Sequence, residues 1–528
     1  MQRFRITNIV LSLGESEGML KEKIASLLNI PHESVSSLTV VRKSIDARRR
    51  KPPRFIYAID FLVPDNIDLT GKECLKKDVL TEEQMPKYMP AKIKREIKPV
   101  IIGCGPAGLF AALTLAKMGN PPLVLERGKK VSERIIDVRK FWERGVLNTE
   151  SNVHFGEGGA GTFSDGKLTS RVKNPYTAWV KTQLVDAGAP HEILTDTKPH
   201  IGTDRLREVV VNLRTKLTEM GCDFRFESKV TDFLVHQGKV EGVIVNEQEE
   251  IRTDCLILAA GQSAEDIYGR LYEHGVHLEP KPFAIGFRVE HPQELINSIQ
   301  YGRWRGHPDL PPADYFLTTK IKNMNRSVYT FCMCPGGSVI GCSSETGSVV
   351  TNGMSHYRRD SHYANSAVVV AIHSEDFRGT QNLPISGLEF RRNWEKKAFI
   401  LGGENYYAPA QRMVDFLRDR AGSLPTLSSF SPGVKSALLR DALPQFAVDA
   451  IKQGVIEFDR KMRGFITEDA ILIGVETRTS SPVRIVRRPD GQSITITGLY
   501  PCGEGAGYAG GIISSALDGI RVAEKVAI

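Results

Sequence analysis

The first 64 residues carry the hydrophobic pattern of a small α/β domain. Residues 3–11, 38–44 and 54–62 have the pattern of strands, and every second residue of the last segment is aromatic or isoleucine. Over 17–28, apolar residues recur every three or four positions, which predicts a helix with one buried face. The chain then turns polar and lysine-rich up to residue 99, which is typical of a linker.

At residue 99 a short, fully apolar strand begins, and apolar strands and helices alternate to about residue 275. The following part is more mixed and rich in proline. Beyond residue 275 we predict strands over 284–289, 327–333 and 367–372, and helices over 408–420, 434–443 and 511–526. These changes of character divide the chain into four segments, 1–95, 96–275, 276–464 and 465–528.

The composition is that of an ordinary globular protein, with 41% hydrophobic and 25% charged residues in a chain of 528. No run of about 18 apolar residues occurs, and the first residues lack the pattern of a signal peptide. We therefore expect no membrane span and a cytoplasmic location.

The eight cysteines are sparse, and no two have the C-x-x-C spacing of a zinc ribbon or a thioredoxin-type dithiol. We expect no metal site and no dithiol exchange. Cys332 and Cys334 are expected to share one face of a strand as buried, reduced thiols.

The charge of +8 is concentrated at the front of the chain, because residues 1–98 hold 19 Lys and Arg against 13 Asp and Glu. The densest cluster lies between Arg42 and Arg54. It could contact phosphates or an acidic partner. It could equally be a solvated loop between two strands.

A glycine-rich motif follows the apolar strand at residue 99. Gly103, Gly105 and Gly108 form G-x-G-x-x-G between a strand and an apolar helix, in which Gly103 permits a tight turn and Gly105 lets a pyrophosphate approach the backbone. Pro106 suits the first helical turn, and the free N–H groups there attract phosphates. The next strand ends in Glu126, which could accept the ribose hydroxyls. The motif predicts a bound dinucleotide.

Three further segments bear on which dinucleotide is bound. Residues 155–168 are glycine-rich and offer backbone donors. Residues 253–261 form an apolar strand that ends in small residues, and in 498–512 a strand delivers Glu504 into a glycine-rich turn before a helix.

Together these segments resemble the glutathione-reductase-like FAD superfamily. The resemblance implies an α/β fold with a single, discontinuous Rossmann-like FAD-binding domain (96–275 and 465–528), an inserted α+β substrate or cap domain (276–464), and the small N-terminal α/β domain (1–95). Its acid in the last motif is usually Asp, so Glu504 is a departure. The resemblance implies these FAD-binding residues: Gly103, Gly105, Pro106, Ala107, Gly108, Glu126, Arg127, Gly159, Ala160, Gly161, Thr162, Val230, Ala260, Gly261, Gly503, Glu504, Gly511 and Ile512.

More narrowly, the chain resembles a group of uncharacterised FAD-dependent dehydrogenases. The matching segments are 42–48, 158–168, 282–292, 331–337, 352–355, 475–484 and 502–512. They span nearly the whole chain. This resemblance implies FAD and an oxidoreductase activity, and it implies no particular substrate.

Polar residues beside the glycine loops are the candidates for catalysis. Asp165 and Lys167 follow the 158–161 loop, and Glu476 and Arg478 lie shortly before the last FAD motif. An arginine there could hold a substrate carboxylate or the charge of the reduced flavin. The alternative is that Glu476 and the arginine form structural ion pairs and take no part in catalysis.

The leading prediction is an oxidoreductase that moves hydride or electrons between FAD and an organic substrate. No second G-x-G-x-x-G follows a strand, so a separate nicotinamide domain is not expected, although NADH or NADPH could deliver electrons transiently at the flavin. One alternative is a flavoprotein that acts on RNA through the basic cluster, which lacks interleaved aromatic residues. The other is a non-catalytic flavin module that docks a partner. The oligomeric state stays open.

Overall fold

The computed structural model describes residues 1–48, 51–69, 72, 75–76, 92, 95–170, 172–377, 383–424 and 428–526. Within these residues the strands are β1 Gln2–Ser12, β2 Ser36–Asp46, β3 Arg54–Val63, β4 Leu75–Lys76, β5 Val100–Ile102, β6 Leu123–Leu125, β7 Asp223–Arg225, β8 Val230–His236, β9 Lys239–Val245, β10 Glu249–Arg252, β11 Leu256–Leu258, β12 Leu278–Pro280, β13 Phe283–Pro292, β14 Thr318–Ile321, β15 Arg326–Cys334, β16 Gly337–Gly341, β17 Thr351–Ser355, β18 Tyr363–Ile372, β19 Ala408–Arg412, β20 Val434–Ser436, β21 Ile471–Glu476, β22 Val483–Ile485 and β23 Leu499–Pro501. The α-helices are α1 Leu20–Leu28, α2 Pro106–Lys117, α3 Val131–Arg144, α4 Tyr176–Asp186, α5 Thr203–Glu219, α6 Glu265–Glu273, α7 Gln293–Tyr301, α8 Ser386–Gly402, α9 Met413–Leu417, α10 Gln445–Lys461 and α11 Ile512–Val526.

The N-terminal residues form their own sheet, in the order β2-β3-β1-β4. Their alternating apolar side chains meet one face of α1 in a separate hydrophobic core, which includes Phe4, Ile6, Ile24 and Ile59. The predicted strands and helix of this region are therefore present, each within a few residues of its predicted bounds.

Five parallel strands form the next sheet, in the order β23-β11-β5-β6-β7. Both of its faces are covered, since Ile101 and Ile257 point into one core and Ile102 and Leu258 into another. A parallel sheet buried on both faces explains why these strands are short and wholly apolar. The outer strand β23 comes from the end of the chain, and α11 packs on α2.

The largest sheet has seven strands, in the order β14-β15-β18-β13-β21-β19-β20, and it packs on α10. Nearly every residue of β13 and β18 is buried, and the two pair over their full length. Strand β21 lies in this sheet between β13 and β19, although the sequence division at 464 assigned it to the last segment. It therefore carries Glu476 from the large sheet towards the parallel one.

Two predicted helices are wrong. Residues 408–412 are strand β19, with only the short helix α9 after it, and 434–436 are strand β20, followed by a single turn. Ala408 and Ala410 are buried and β19 pairs with β21 and β20, so sheet pairing overrides the helical spacing. The predicted strands 284–289, 327–333 and 367–372 and the helix 511–526 are confirmed within longer or slightly shifted elements.

No helix in the described ranges is long and apolar enough to cross a membrane.

Candidate cofactor site

A cavity of about 390 Å³ opens at the carboxyl ends of β5, β6 and β11. This edge of a parallel sheet is where ligands bind, at the point where neighbouring connections leave in opposite directions. The cavity runs from Glu126 and Val230 at one end to Glu504 and Ile512 at the other. Segments from the two ends of the chain therefore line one cavity.

The first glycine motif forms a tight turn at the carboxyl end of β5. Gly103 has a φ of +101°, and a Cβ on it would lie 2.4 Å from the Ala259 carbonyl oxygen. Gly108 brings α2 against the turn, because its Cβ would lie 2.0 Å from the Gly103 carbonyl oxygen. A Cβ on Gly105 would meet nothing closer than 3.8 Å, so this residue faces the cavity. The N-terminus of α2 therefore presents bare backbone to the cavity.

Glu126 is buried and fixed by backbone donors. Its Oε2 accepts a hydrogen bond from the Cys104 amide at 2.9 Å, and its Oε1 accepts from the amides of Gly128 and Gly156, both at 2.9 Å. The glycine loop and the acid thus hold each other in place at this end of the cavity.

Arg127 is held between two carboxylates, Glu150 and Asp266, with contacts of 2.7 and 2.9 Å. Its guanidinium also lies 4.2 Å from the centre of the Phe155 ring. Its charge is thereby neutralised within the wall of the cavity.

The second glycine-rich segment lies at the other end of the cavity. Cβ atoms on Gly510 and Gly511 would meet no atom within 4 Å, and the N-terminus of α11 begins directly after them. Glu504 accepts a hydrogen bond from Gln262 at 2.7 Å, and burial raises its pKa to about 7. The departure from Asp thus places a long, readily protonated acid in the wall of the cavity.

Asp165 and Lys167 both line the cavity, with 3.0 Å between the Lys167 Nζ and the Asp165 Oδ2. Burial lowers the pKa of Lys167, but the neighbouring Asp165, Cys334 and Cys332 outweigh it and raise that pKa above its usual value. Burial raises the pKa of Asp165, but the charges of Lys167 and Arg359 outweigh it and hold that pKa below the usual range. The pair is therefore charged at neutral pH.

Glu476 lies in the same lining, at the end of β21. Its Oε1 accepts a hydrogen bond from Arg288 at 3.2 Å, and burial raises the pKa of its carboxyl to about 7 in spite of that contact. A group with such a pKa can hold or release a proton near neutral pH.

Arg478 also lines the cavity, but its guanidinium is bound to other side chains. Its Nη2 and Nε donate to the two oxygens of Glu395 at 2.8 and 3.1 Å, and its Nη1 donates to Ser344 at 2.5 Å. The arrangement is a buried ion pair. It favours a positioning role for Arg478 over direct contact with a substrate.

Most of the residues that the sequence nominates line the cavity together. They are Gly103, Gly105, Pro106, Ala107, Glu126, Arg127, Gly159, Ala160, Gly161, Asp165, Lys167, Val230, Ala260, Gly261, Glu476, Arg478, Glu504, Gly511 and Ile512. Three do not line it. Gly108 and Gly503 sit under the turns, where Cβ atoms would lie against Gly103 and Ala107, and the Thr162 hydroxyl donates to the Glu157 carbonyl.

Sequence reasoning missed several residues of the lining. His154, Gln262 and Cys332 lie in it, and the His154 Nε2 is buried without a hydrogen-bond partner among the described residues. His154 lies beside the glycine-rich 155–168 segment, which was the available signal. Gln262 follows β11 and carries no local signal, and Cys332 lies in the 331–337 segment of the family resemblance, which did not mark it as a cavity residue.

The lining fits an extended dinucleotide. Gly105, Gly510 and Gly511 face open space that side chains would fill, and two helix N-termini supply unpaired N–H groups for anionic oxygens. The carboxylate of Glu126 lies in the same lining, and the His154 Nε2 is a buried nitrogen without a hydrogen-bond partner among the described residues.

Comparison with known protein families identifies two regions. Residues 282–479 match the family described as FAD-dependent protein, C-terminal domain-like, and residues 1–62 match a domain family of unknown function. With the cavity that fits it, this match shows that the cofactor is FAD.

An uncharacterized protein of Clostridium beijerinckii is 46% identical over 526 residues, which are 99% of this chain and 98% of that protein. The FAD-dependent monooxygenase nodY2 of Hypoxylon pulicicidum is 26% identical over 226 residues, 38% of this chain and 44% of that protein. Among solved structures, CtdE in complex with FAD is 12% identical, with 81% of this chain and 84% of that chain covered at a TM-score of 0.31.

Proposed function

This chain belongs to the same family as the Clostridium beijerinckii protein, and from that premise we propose that it is an FAD-dependent oxidoreductase acting on a small or medium-sized organic substrate. One observation carries the proposal. The two glycine-rich segments that suit FAD line the same cavity as the ionisable side chains Lys167 and Glu476. Cofactor and acid–base groups would thus share one enclosed space.

When bound, FAD accepts or donates hydride or single electrons. Lys167 is held by Asp165 and presents a positive charge inside the cavity, which would bind an anionic group of a substrate or stabilise a negative charge that develops during transfer. Glu476 would take up or release the proton that accompanies the transfer, because its pKa of about 7 allows both states.

The large sheet and its neighbouring loops would shape the substrate side of the cavity. Phe331, Asn352 and Thr479 come from this part of the chain and line the same cavity as the glycine-rich loops. Their mixed apolar and hydrogen-bonding surface suits a substrate with both an apolar body and a polar group.

The RNA-binding alternative is weakened by the pairing of the basic cluster. Lys43 contacts Glu17 at 2.8 Å, and Arg48 and Arg54 both contact Asp46, at 2.7 and 3.2 Å. Arg49 and Arg50 lie outside the described residues. The non-catalytic alternative, a flavin module that docks a partner, predicts that a reduced flavin is never reoxidised by a small acceptor.

The test is anaerobic reduction of the purified, yellow protein by NADH and by NADPH, followed by reoxidation with small organic acceptors. We expect one nicotinamide to bleach the flavin and an acceptor to restore the colour. Lys167→Met should keep the colour and slow the bleaching or the recovery, whereas Lys173→Met, on the exposed surface, should match the wild type. A flavin that neither donor reduces and no acceptor reoxidises would contradict the proposal.

A further inference from the structure

Strand β15 brings Cys332 into the cofactor cavity, with Cys334 two residues further along the chain. Cys332 has a φ of +47°, a left-handed conformation that is rare for a residue with a side chain, and the pairing of β15 with β18 shifts register between Phe331 and Cys334. The strand is therefore irregular at the residues that carry the two thiols. Cys332 is half-buried and lines the cavity, whereas Cys334 is buried beside it.

Two cationic side chains surround the pair. The Lys167 Nζ lies 3.6 Å from the Cys334 Sγ, and the Arg288 Nη2 lies 3.5 Å from the same sulfur and donates to the Cys332 carbonyl at 2.7 Å. Asp165 faces Lys167, and Glu476 faces Arg288. The Cys334 sulfur thus contacts one member of each charged pair of the proposed reaction space.

This setting favours one thiolate in the pair. The Cys334 thiol donates to the Cys332 carbonyl oxygen at 3.3 Å. The neighbouring Cys334 side chain and the charges of Lys167 and Arg288 lower the pKa of Cys332 well below its usual value, while the neighbouring Cys332 raises the pKa of Cys334. The remaining described cysteines differ, because burial raises the pKa of each: Cys104, Cys222, Cys255, Cys342 and Cys502. Thiolate character marks a reactive cysteine.

We propose that Cys332 and Cys334 form a redox-active pair that exchanges two electrons with the bound FAD. In the oxidising direction a bond forms between the two sulfur atoms, and Cys334 gives up its thiol proton. The two electrons, that proton and one proton from solvent convert FAD to its two-electron reduced form. The reverse step breaks the sulfur–sulfur bond and returns FAD to the oxidised form.

Strand geometry and location both support the pair. The left-handed residue re-aims one side chain at the cavity within a three-residue span, and a strained conformation of this kind is concentrated at functional sites. The inference rests on FAD as the cofactor and is independent of the organic substrate. Loss of the yellow colour would report a failure of cofactor binding, separately from a failure of the pair.

The test is an anaerobic titration of the oxidised holoprotein with dithionite, counting electrons taken up per FAD. We expect four for the wild type, two for the flavin and two for the disulfide, and two for Cys332→Ser. Cys342→Ser, a buried cysteine outside the cavity lining, is the matched control and should still take up four. Two electrons in the wild type would overturn the proposal.

A second measurement does not depend on any variant. The oxidised and the reduced wild-type protein are denatured and alkylated, and their peptides are weighed by mass spectrometry. In the oxidised sample the peptide with Cys332 and Cys334 should be two hydrogens lighter and carry no alkyl group on either cysteine. In the reduced sample both cysteines should be alkylated. Free alkylation of both cysteines in the oxidised sample would also overturn the proposal.

Discussion

Asp165 is bound to Arg359 by two parallel hydrogen bonds, from Nε to Oδ1 at 3.0 Å and from Nη2 to Oδ2 at 2.6 Å. Asp165 lines the cofactor cavity, whereas Arg359 lines a second cavity of about 1510 Å³ between the N-terminal sheet and the body of the protein. Lys167 contacts Asp165 from the cofactor side. One buried carboxylate therefore binds two cations and forms part of the wall between the two cavities.

Replacing this carboxylate should be costly. Asp165→Asn leaves Lys167 and Arg359 without their shared anion, and breaking a buried ion pair costs about 3–5 kcal/mol of unfolding free energy. Urea unfolding at neutral pH measures this loss. Asp360→Asn, at an exposed neighbouring position, should change stability by less than about 0.5 kcal/mol.

The unfolding free energy lost in Asp165→Asn should decrease as the pH falls. The pKa of Asp165 is lower in the folded protein than in the unfolded chain, so its contribution is present at neutral pH and is lost as the pH falls through the acidic range. The difference between wild type and Asp165→Asn should therefore shrink on acidification. A difference that stays constant down to the acid transition would show that Asp165 does not act through its charge.

Glu476 should show the opposite pH dependence. Burial raises its folded pKa to about 7, so between its usual pKa of 4.5 and 7 the folded protein binds more protons than the unfolded chain, and this group destabilises the fold as the pH rises. The stability of Glu476→Gln relative to the wild type should therefore rise by about 1–3 kcal/mol from pH 5 to pH 8, on top of a constant cost from the lost contact with Arg288. Glu468→Gln, an exposed control, should not, and parallel curves for Glu476→Gln and wild type would refute the assignment.

FAD binding at the glycine turn before α2 can be tested at Gly105, because the protein around this residue leaves room for a side chain. Gly105 has an ordinary φ of −80°, and a Cβ there meets no protein atom within 3.8 Å, so Gly105→Val should fold but fill the space of the pyrophosphate. We expect a colourless protein whose Tm no longer rises on adding FAD. The control Gly269→Ala, in α6 and outside the cavity lining, should stay yellow. A yellow Gly105→Val protein would contradict the placement of FAD at this glycine turn.

A double-mutant cycle can show whether Arg478 acts through its ion pair with Glu395 or directly on a substrate. Arg478→Ala and Glu395→Gln should each cost about 3–5 kcal/mol of stability, because each leaves a buried charge without its partner. The double variant should cost about 2 kcal/mol less than the sum. Additive losses, combined with a flavin reduction rate that falls only in Arg478→Ala, would instead assign Arg478 a direct role at the substrate.

The local features of the cofactor site could be predicted from the sequence. A strand, a glycine turn and a helix are encoded by consecutive residues, so Gly103, Gly105 and Glu126 were found from their spacing alone. The approach of Gly511 to the same cavity could be expected only through the family resemblance, because the order of strands in the parallel sheet brings β23 beside β11.

The remaining features depend on contacts between distant segments. The register shift between Phe331 and Cys334 in the pairing of β15 with β18 could not be predicted from sequence, because it depends on the partner strand. The partner of Arg478 could not be identified from sequence, since Glu395 comes from α8. The division of the chain into four segments and the roles of Lys167 and Glu476 stay predictions.

A crystal structure of the protein saturated with FAD tests the central claim most directly. The account predicts one extended FAD with its adenosine beside Glu126 and Val230 and its ring end between Ile512 and Cys332. FAD bound elsewhere, or a cavity whose two ends contact different molecules, would contradict it.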